Sequence, residues 1–188
     1  RARSGTENAR MPLAVTTAQA LGLTALIGVA GDAVADQANE AIRAFNSWCF
    51  KAGQTEADAR RNMKANVASF TLTFWDDSLA PRPMDAPQGI ERRCEVAFDG
   101  NHTARAIPAL RKQMRTPPVF GRKIPLPDTH RPLENTALVE GRELLHGRVA
   151  VVHVGTRRNS GRETTFISVD RLYDGLGITK KADEGTTE

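Results

Sequence analysis

A chain of 188 residues, 40% hydrophobic and 26% charged, is long enough for one proper core and too apolar to stay disordered. Its formal net charge of +4, or +3 once residues 1–35 are set aside, excludes the dense basicity of a dedicated nucleic-acid binder.

Residues 1–10 are polar with three arginines, and residues 11–31 carry no charge at all. Ala20 to Ala30 has the length of a signal-peptide apolar region, and Ala33-Val34-Ala35 supplies the small-x-small pattern before cleavage. Residues 1–35 therefore read as a leader, cleaved after Ala35 to release a chain that starts at Asp36. Two other readings stay open. Residues 12–31 are long enough for an uncleaved membrane anchor, although Thr16, Thr17, Gln19 and Thr24 dilute it, or they form a buried helix of the domain. Export to a bacterial periplasm or beyond the cell is the favoured reading.

In residues 36–53, Ala38, Ile42, Phe45 and Cys49 recur at helical spacing, and Gly53 supplies a stop. Thr55 is a suitable N-cap for a second helix, with Glu56 and Asp58 in its first turn and Ala59, Met63 and Val67 on its apolar side. Phe70, Leu72 and Phe74 then alternate with Thr71, Thr73 and Trp75, the mark of a strand that ends at Asp76-Asp77. A proline-rich loop leads to IERRCEVAFDG, where Ile90, Cys94, Val96 and Phe98 share one parity and Glu91, Arg93, Glu95 and Asp99 the other. The two strands are expected to pair antiparallel. Asn101 or Thr103 can cap a helix running to about Met114 with Ala106, Ile107, Leu110 and Met114 inward; Pro108 predicts a late start or a kink. Residues 116–135 hold five prolines and read as an extended connection without a period. Leu138 onward is strand-like. Leu145–Val154 and Thr164–Leu172 flank the polar GTRRNSGRE segment, a hairpin with a long loop. Residues 36–177 thus form one α+β domain, an antiparallel sheet of four or five strands with helices packed on one face, and residues 178–188 form a polar tail.

The chemistry-bearing residues are few. Cys49 and Cys94 are the only cysteines, and in an exported chain they are expected to pair, stapling a helix to the sheet. Closing that loop would stabilise the fold by roughly 3–4 kcal/mol; the competing reading is two reduced, buried thiols. His102, His130, His146 and His153 show no metal-ligand spacing, and His146 and His153 fall on opposite faces of one predicted strand. No metal site and no cofactor are expected. Asp76-Asp77 reads as a turn cap rather than a catalytic pair, since adjacent side chains point apart. No nucleophile elbow, phosphate loop or dinucleotide fingerprint is present. A hydrolase would therefore need a site assembled from distant residues, such as His153 with Ser69, Ser160 or Ser168.

The positive signal is electrostatic. Arg105, Arg111, Lys112, Arg115, Arg122 and Lys123 follow one another closely, and Arg157, Arg158 and Arg162 add a basic hairpin. Together they are candidates for an anion-binding surface facing an anionic ligand, an acidic protein or a membrane, against the plainer reading of a solvated helix face. Phe120 is the only aromatic residue in the basic segment, which speaks against nucleic acid.

The layout resembles the short, uncharacterised exported proteins common in alphaproteobacteria. The likeness rests on the signal-like leader, the helix with FNSWCF, the strand with RRCEVAFDG, the ARAIPALRKQM helix and the late SVDRL strand. The resemblance implies export and an α+β fold, and no particular chemistry. A non-enzymatic accessory or binding protein is the expected function; the assembled hydrolase is the alternative.

Overall fold

The computed structural model describes residues 29–116, 121–144, 148–159 and 161–173. The chain forms α1 (Val29–Trp48), α2 (Glu56–Asn62), β1 (Thr71–Asp76), β2 (Ile90–Asp99), α3 (Thr103–Met114), β3 (Lys123–Ile124), β4 (Thr136–Glu143), β5 (Val149–Asn159) and β6 (Arg162–Leu172). The strands make one sheet in the order β1-β2-β6-β5-β4-β3, every neighbour antiparallel.

The sixth strand exceeds the expected four or five. It is β3, two residues inside the proline-rich connection, and a pair that short carries no period to read. Its place is set by partners: Lys123 lies opposite Arg142 and Ile124 opposite Gly141. A Cβ at position 141 would come 2.9 Å from Pro125 O, so only glycine lets the chain cross there.

Helix α1 also departs from expectation. Among the described residues it already runs from Val29, ahead of Asp36, and it passes through Gly31. It ends at Trp48, where the Gln54 side-chain amide donates to the Trp48 carbonyl at 2.6 Å. Helix α2 begins as its sequence implies: Thr55 and Asp58 form a reciprocal capping box. Helix α3 keeps Pro108 inside it, and Asn101 Oδ1 accepts from the backbone N–H of Thr103 at 3.3 Å. The GTRRNSGRE segment is not a long loop. Strands β5 and β6 stay paired down to Asn159 and Arg162, with Gly161 in the left-handed region at φ +81°. Polar side chains are tolerated there because both faces of the hairpin end meet water: Arg157, Arg158, Arg162 and Glu163 are all exposed.

All three helices contribute to the core on one face of the sheet. The row Leu72, Val96, Ile167, Val154 and Leu138 lies under them, and the next row runs Phe74, Cys94, Val169, Val152 and Glu140. Phe45 of α1 and Leu110 of α3 are fully buried against it, each contributing roughly 1.5–3 kcal/mol. Cys49 and Cys94 form the disulfide, with Cα atoms 5.4 Å apart, and join α1 to the second strand of the sheet. The opposite face bears the rows Thr73, Glu95, Ser168, His153, Val139 and Trp75, Arg93, Asp170, Val151, Gly141. A second, smaller core of Trp75, Ile90, Val151 and Leu172, with Leu126 packed on it, covers one end of that face.

Candidate functional site

The basic candidates divide into two groups. Glu140 ends a row of the helix-covered face, which buries its carboxylate. Arg142 Nη2 donates to it at 2.8 Å, and Arg111 and Lys123 stand 3.7 and 3.8 Å away from the other oxygen. Arg111 comes from α3 and Lys123 from β3, so the fold brings together residues from separate segments. Lys112 and Arg115 are exposed on the same last turn of α3, and Arg122 pairs with Glu143 at 2.6 Å. Six cations thus stand with two carboxylates along the α3 end and the β3–β4 edge, and the Lys123 side chain remains 65% exposed.

Arg157, Arg158 and Arg162 lie elsewhere. Arg142 pairs with Ala150, and Arg157 is seven residues further along β5, about 23 Å at a strand's rise. Arg157 bonds Glu95 on the open face, Arg158 is in register with Glu163, and Arg162 stands 3.8 Å from Asp99. Arg105 belongs to neither group. It sits at the start of α3 and reaches the carbonyl of Ala35 at 3.4 Å.

The open face holds an ion network that parity alone makes look like solvated surface. Arg93 grips Asp170 with two hydrogen bonds, 2.8 and 2.6 Å, and His130 Nε2 meets the same carboxylate at 2.9 Å. His130 comes from the β3–β4 connection, which crosses the sheet at Gly141 and lays Leu126 on the small core. Burial pushes the Asp170 carboxyl up, but the hydrogen bonds from Arg93 and His130 outweigh it and hold the group below its usual range.

Thr129 Oγ1 lies 2.9 Å from His130 Nδ1, completing a hydroxyl–imidazole–carboxylate chain. It departs from a nucleophilic triad in one respect: Arg93 already neutralises the carboxylate that would stabilise an imidazolium. The chain serves as a latch that holds the crossing segment down.

No protein-family model, curated protein or solved structure matches this chain. The geometry must therefore be read by itself.

His153 and Ser168 are direct cross-strand neighbours, yet His153 Nε2 bonds the Thr136 hydroxyl at 3.0 Å rather than a serine or carboxylate. Ser69 lines a cleft at the far end of β1 and β2, and His146 and Ser160 lie outside the described residues, as do residues 1–28 and the polar tail. His102 stacks on Phe98 at a centroid distance of 5.8 Å. Asp76 caps its turn by accepting from Ser78 N at 3.1 Å, and is also a buried anion between Arg171 at 3.0 Å and Arg92 at 3.6 Å. Burial brings the Arg92 guanidinium down to about 10 against the opposing pull of Asp76, and Arg92 Nη2 donates to the Cys49 carbonyl beside the disulfide. No three histidine, cysteine or acidic side chains among the described residues converge closely enough to hold a metal ion.

Burial holds the His153 imidazole below the usual 6.5; nearby Asp170 pulls it up, while His130 and Arg93 push it further down. The folded state therefore resists a proton that the unfolded chain accepts. Stability should fall as pH drops below 6.5 and level off beneath the folded value. Urea unfolding at about pH 7.5 and about pH 5.5 should show a smaller loss for His153→Gln than for the parent. An equal loss in both would assign the dependence to other groups.

Proposed function

We propose that the protein is an exported, non-enzymatic binding or accessory factor that engages an anionic partner through the strip at the α3 end and the β3–β4 edge. The observation that carries this reading is the convergence of Arg111, Lys123 and Arg142 on the single buried carboxylate of Glu140. One anion offsets one of the three, and Lys112, Arg115 and Arg122 extend the excess outward. Such a field attracts anions over about a Debye length, some 8–10 Å at ordinary salt.

Export, to the periplasm or beyond the cell, draws on the signal-like leader and on the disulfide, since such bonds persist in oxidising compartments. No helix among the described residues is long and apolar enough to cross a membrane. The alternative, a small hydrolase built from distant residues, draws on the Thr129–His130–Asp170 chain. It ranks second because Arg93 occupies the carboxylate.

Sedimentation with vesicles containing phosphatidylglycerol, and retention on a polyaspartate matrix, test the binding reading at several salt concentrations. The triple variant Arg111→Gln/Arg115→Gln/Lys123→Gln should weaken association with at least one probe on the order of tenfold to a hundredfold. The matched variant Arg157→Gln/Arg158→Gln/Arg162→Gln removes equal charge elsewhere and should leave most of it. Equal losses from both would mean general attraction to a basic protein and no site at the strip.

A further inference from the structure

The centre of the basic strip holds a carboxylate, and that restricts which anion can enter. Glu140 belongs to β4 and lies on the helix-covered face, in register with Val152. Its side chain is only 7% exposed. Arg142 Nη2 donates to one oxygen, Oε2, at 2.8 Å. The other, Oε1, accepts no hydrogen bond from the described residues: Arg111 Nη2 and Lys123 Nζ stop 3.7 and 3.8 Å from it, outside hydrogen-bond reach.

Three segments of chain meet at this point. Lys123 lies directly opposite Arg142 across β3 and β4, and Arg111 reaches in from the last turn of α3. The Arg111 and Lys123 side chains are 50% and 65% exposed, so their head groups are free to turn toward an added group. Oε1 thus lies at the inner end of an opening flanked by two exposed cations. Arg142 Nε is buried and meets no acceptor. The cluster is short of acceptors, and Glu140 Oε1 is short of a donor.

A ligand that answers both needs carries negative charge for the cations and an O–H for Oε1. Sulfate fails the second condition. All four of its oxygens are acceptors, so one of them would meet the carboxylate like against like. Hydrogen phosphate has nearly the same shape, keeps a proton at neutral and mildly alkaline pH, and leaves three oxygens to accept from N–H groups. A hydroxyl that donates to a carboxylate makes one of the stronger hydrogen bonds. We propose that the cluster, on the reading of the strip as an anion site, binds free inorganic phosphate in its hydrogen-bearing form. The P–OH donates to Glu140 Oε1, and the remaining oxygens accept from Arg111 and Lys123. Arg142 positions Glu140 through Oε2.

The test is NMR titration of the oxidised full chain with inorganic phosphate, sulfate and methyl phosphate, at constant ionic strength and mildly alkaline pH. All three probes are then dianions, and only inorganic phosphate carries the proton. Phosphate should give saturable amide shifts centred on Arg111, Lys123, Glu140 and Arg142. Sulfate and methyl phosphate should bind roughly tenfold or more weakly, the loss of one hydrogen bond to a charged group. In Glu140→Gln the side-chain amide can donate as well as accept, so sulfate should bind more tightly than to the parent and the preference for phosphate should shrink to about threefold or less. Lys123→Gln, at an exposed edge position, should weaken phosphate on the order of tenfold and serves if Glu140→Gln does not fold. Equal affinity for phosphate and sulfate in the parent would overturn the phosphate assignment and leave the strip an anion site. So would the absence of saturable shifts with phosphate while retention on polyaspartate still depends on the strip; loss of that dependence too would sink the strip itself. Shifts centred elsewhere, an unchanged preference in folded Glu140→Gln, or undiminished phosphate affinity in Lys123→Gln would likewise overturn the assignment.

Discussion

Asp170→Ala is expected to destabilise the fold by about 3–5 kcal/mol, the range found when one partner of a buried ion pair is removed. The carboxylate side chain is 3% exposed and takes two hydrogen bonds from Arg93 and one from His130. Truncation strands the Arg93 guanidinium, 24% exposed, and releases the only side-chain bond from His130 to the sheet among the described residues. The loss should come mainly from the orphaned charge. The double variant Arg93→Met/Asp170→Leu, which removes both charges and keeps the volume, should therefore recover much of it. Urea midpoints of the three proteins check this, and a loss under about 1 kcal/mol for Asp170→Ala would show that the pair is dispensable.

The same carboxylate predicts an acid limb. Its folded pKa lies below the usual 3.8, so its contribution is fully present above that value and is lost as pH falls through the folded one. Asp170→Asn should flatten the stability profile in that range.

The second large effect concerns the Cys49–Cys94 bridge. Reducing it, or replacing both residues by alanine, should cost about 3–4 kcal/mol by the loop-entropy argument for the 45-residue separation. For a chain of this size that lowers Tm by on the order of 10 °C. Reduction alone isolates the cross-link, whereas the double alanine variant also loses sulfur packing at two buried positions. Circular dichroism melts with and without a phosphine reductant measure the first. A Tm shift of less than about 2 °C would mean that the unfolded chain is little constrained by the bridge.

Much of the framework was legible because burial on one side of an element writes a period into the sequence. Phe70, Leu72 and Phe74 against Cys94, Val96 and Phe98 announced two paired strands, and Ile42, Phe45 and Cys49 announced the helix above them. The bridge followed from two cysteines lying on inward-facing positions of a helix and a strand. The limits of that reasoning show at Arg92. It shares the parity of Cys94 and lies buried, where Asp76 offers an opposite charge at 3.6 Å and the Cys49 carbonyl accepts from Nη2, both from other segments of the chain.

Arg93 shows the converse. Its parity marks a wet face, yet the crossing segment with Leu126 and His130 covers that face and makes Asp170 a buried anion. The β5–β6 hairpin is present as expected, but its loop is shorter than composition implies. Polar composition looks like a loop, whereas strands can be polar wherever one face meets water.

By itself, then, the sequence determined the class of fold, the inward cysteines and the wealth of cations near α3, because periodicity and composition are local properties. Tertiary structure decided which cations share a carboxylate and which polar residues leave the solvent. It also placed Lys123 opposite Arg142, beside Glu140. Those outcomes depend on strand order and register, which bring residues tens of positions apart within reach of one another, and no local pattern encodes them.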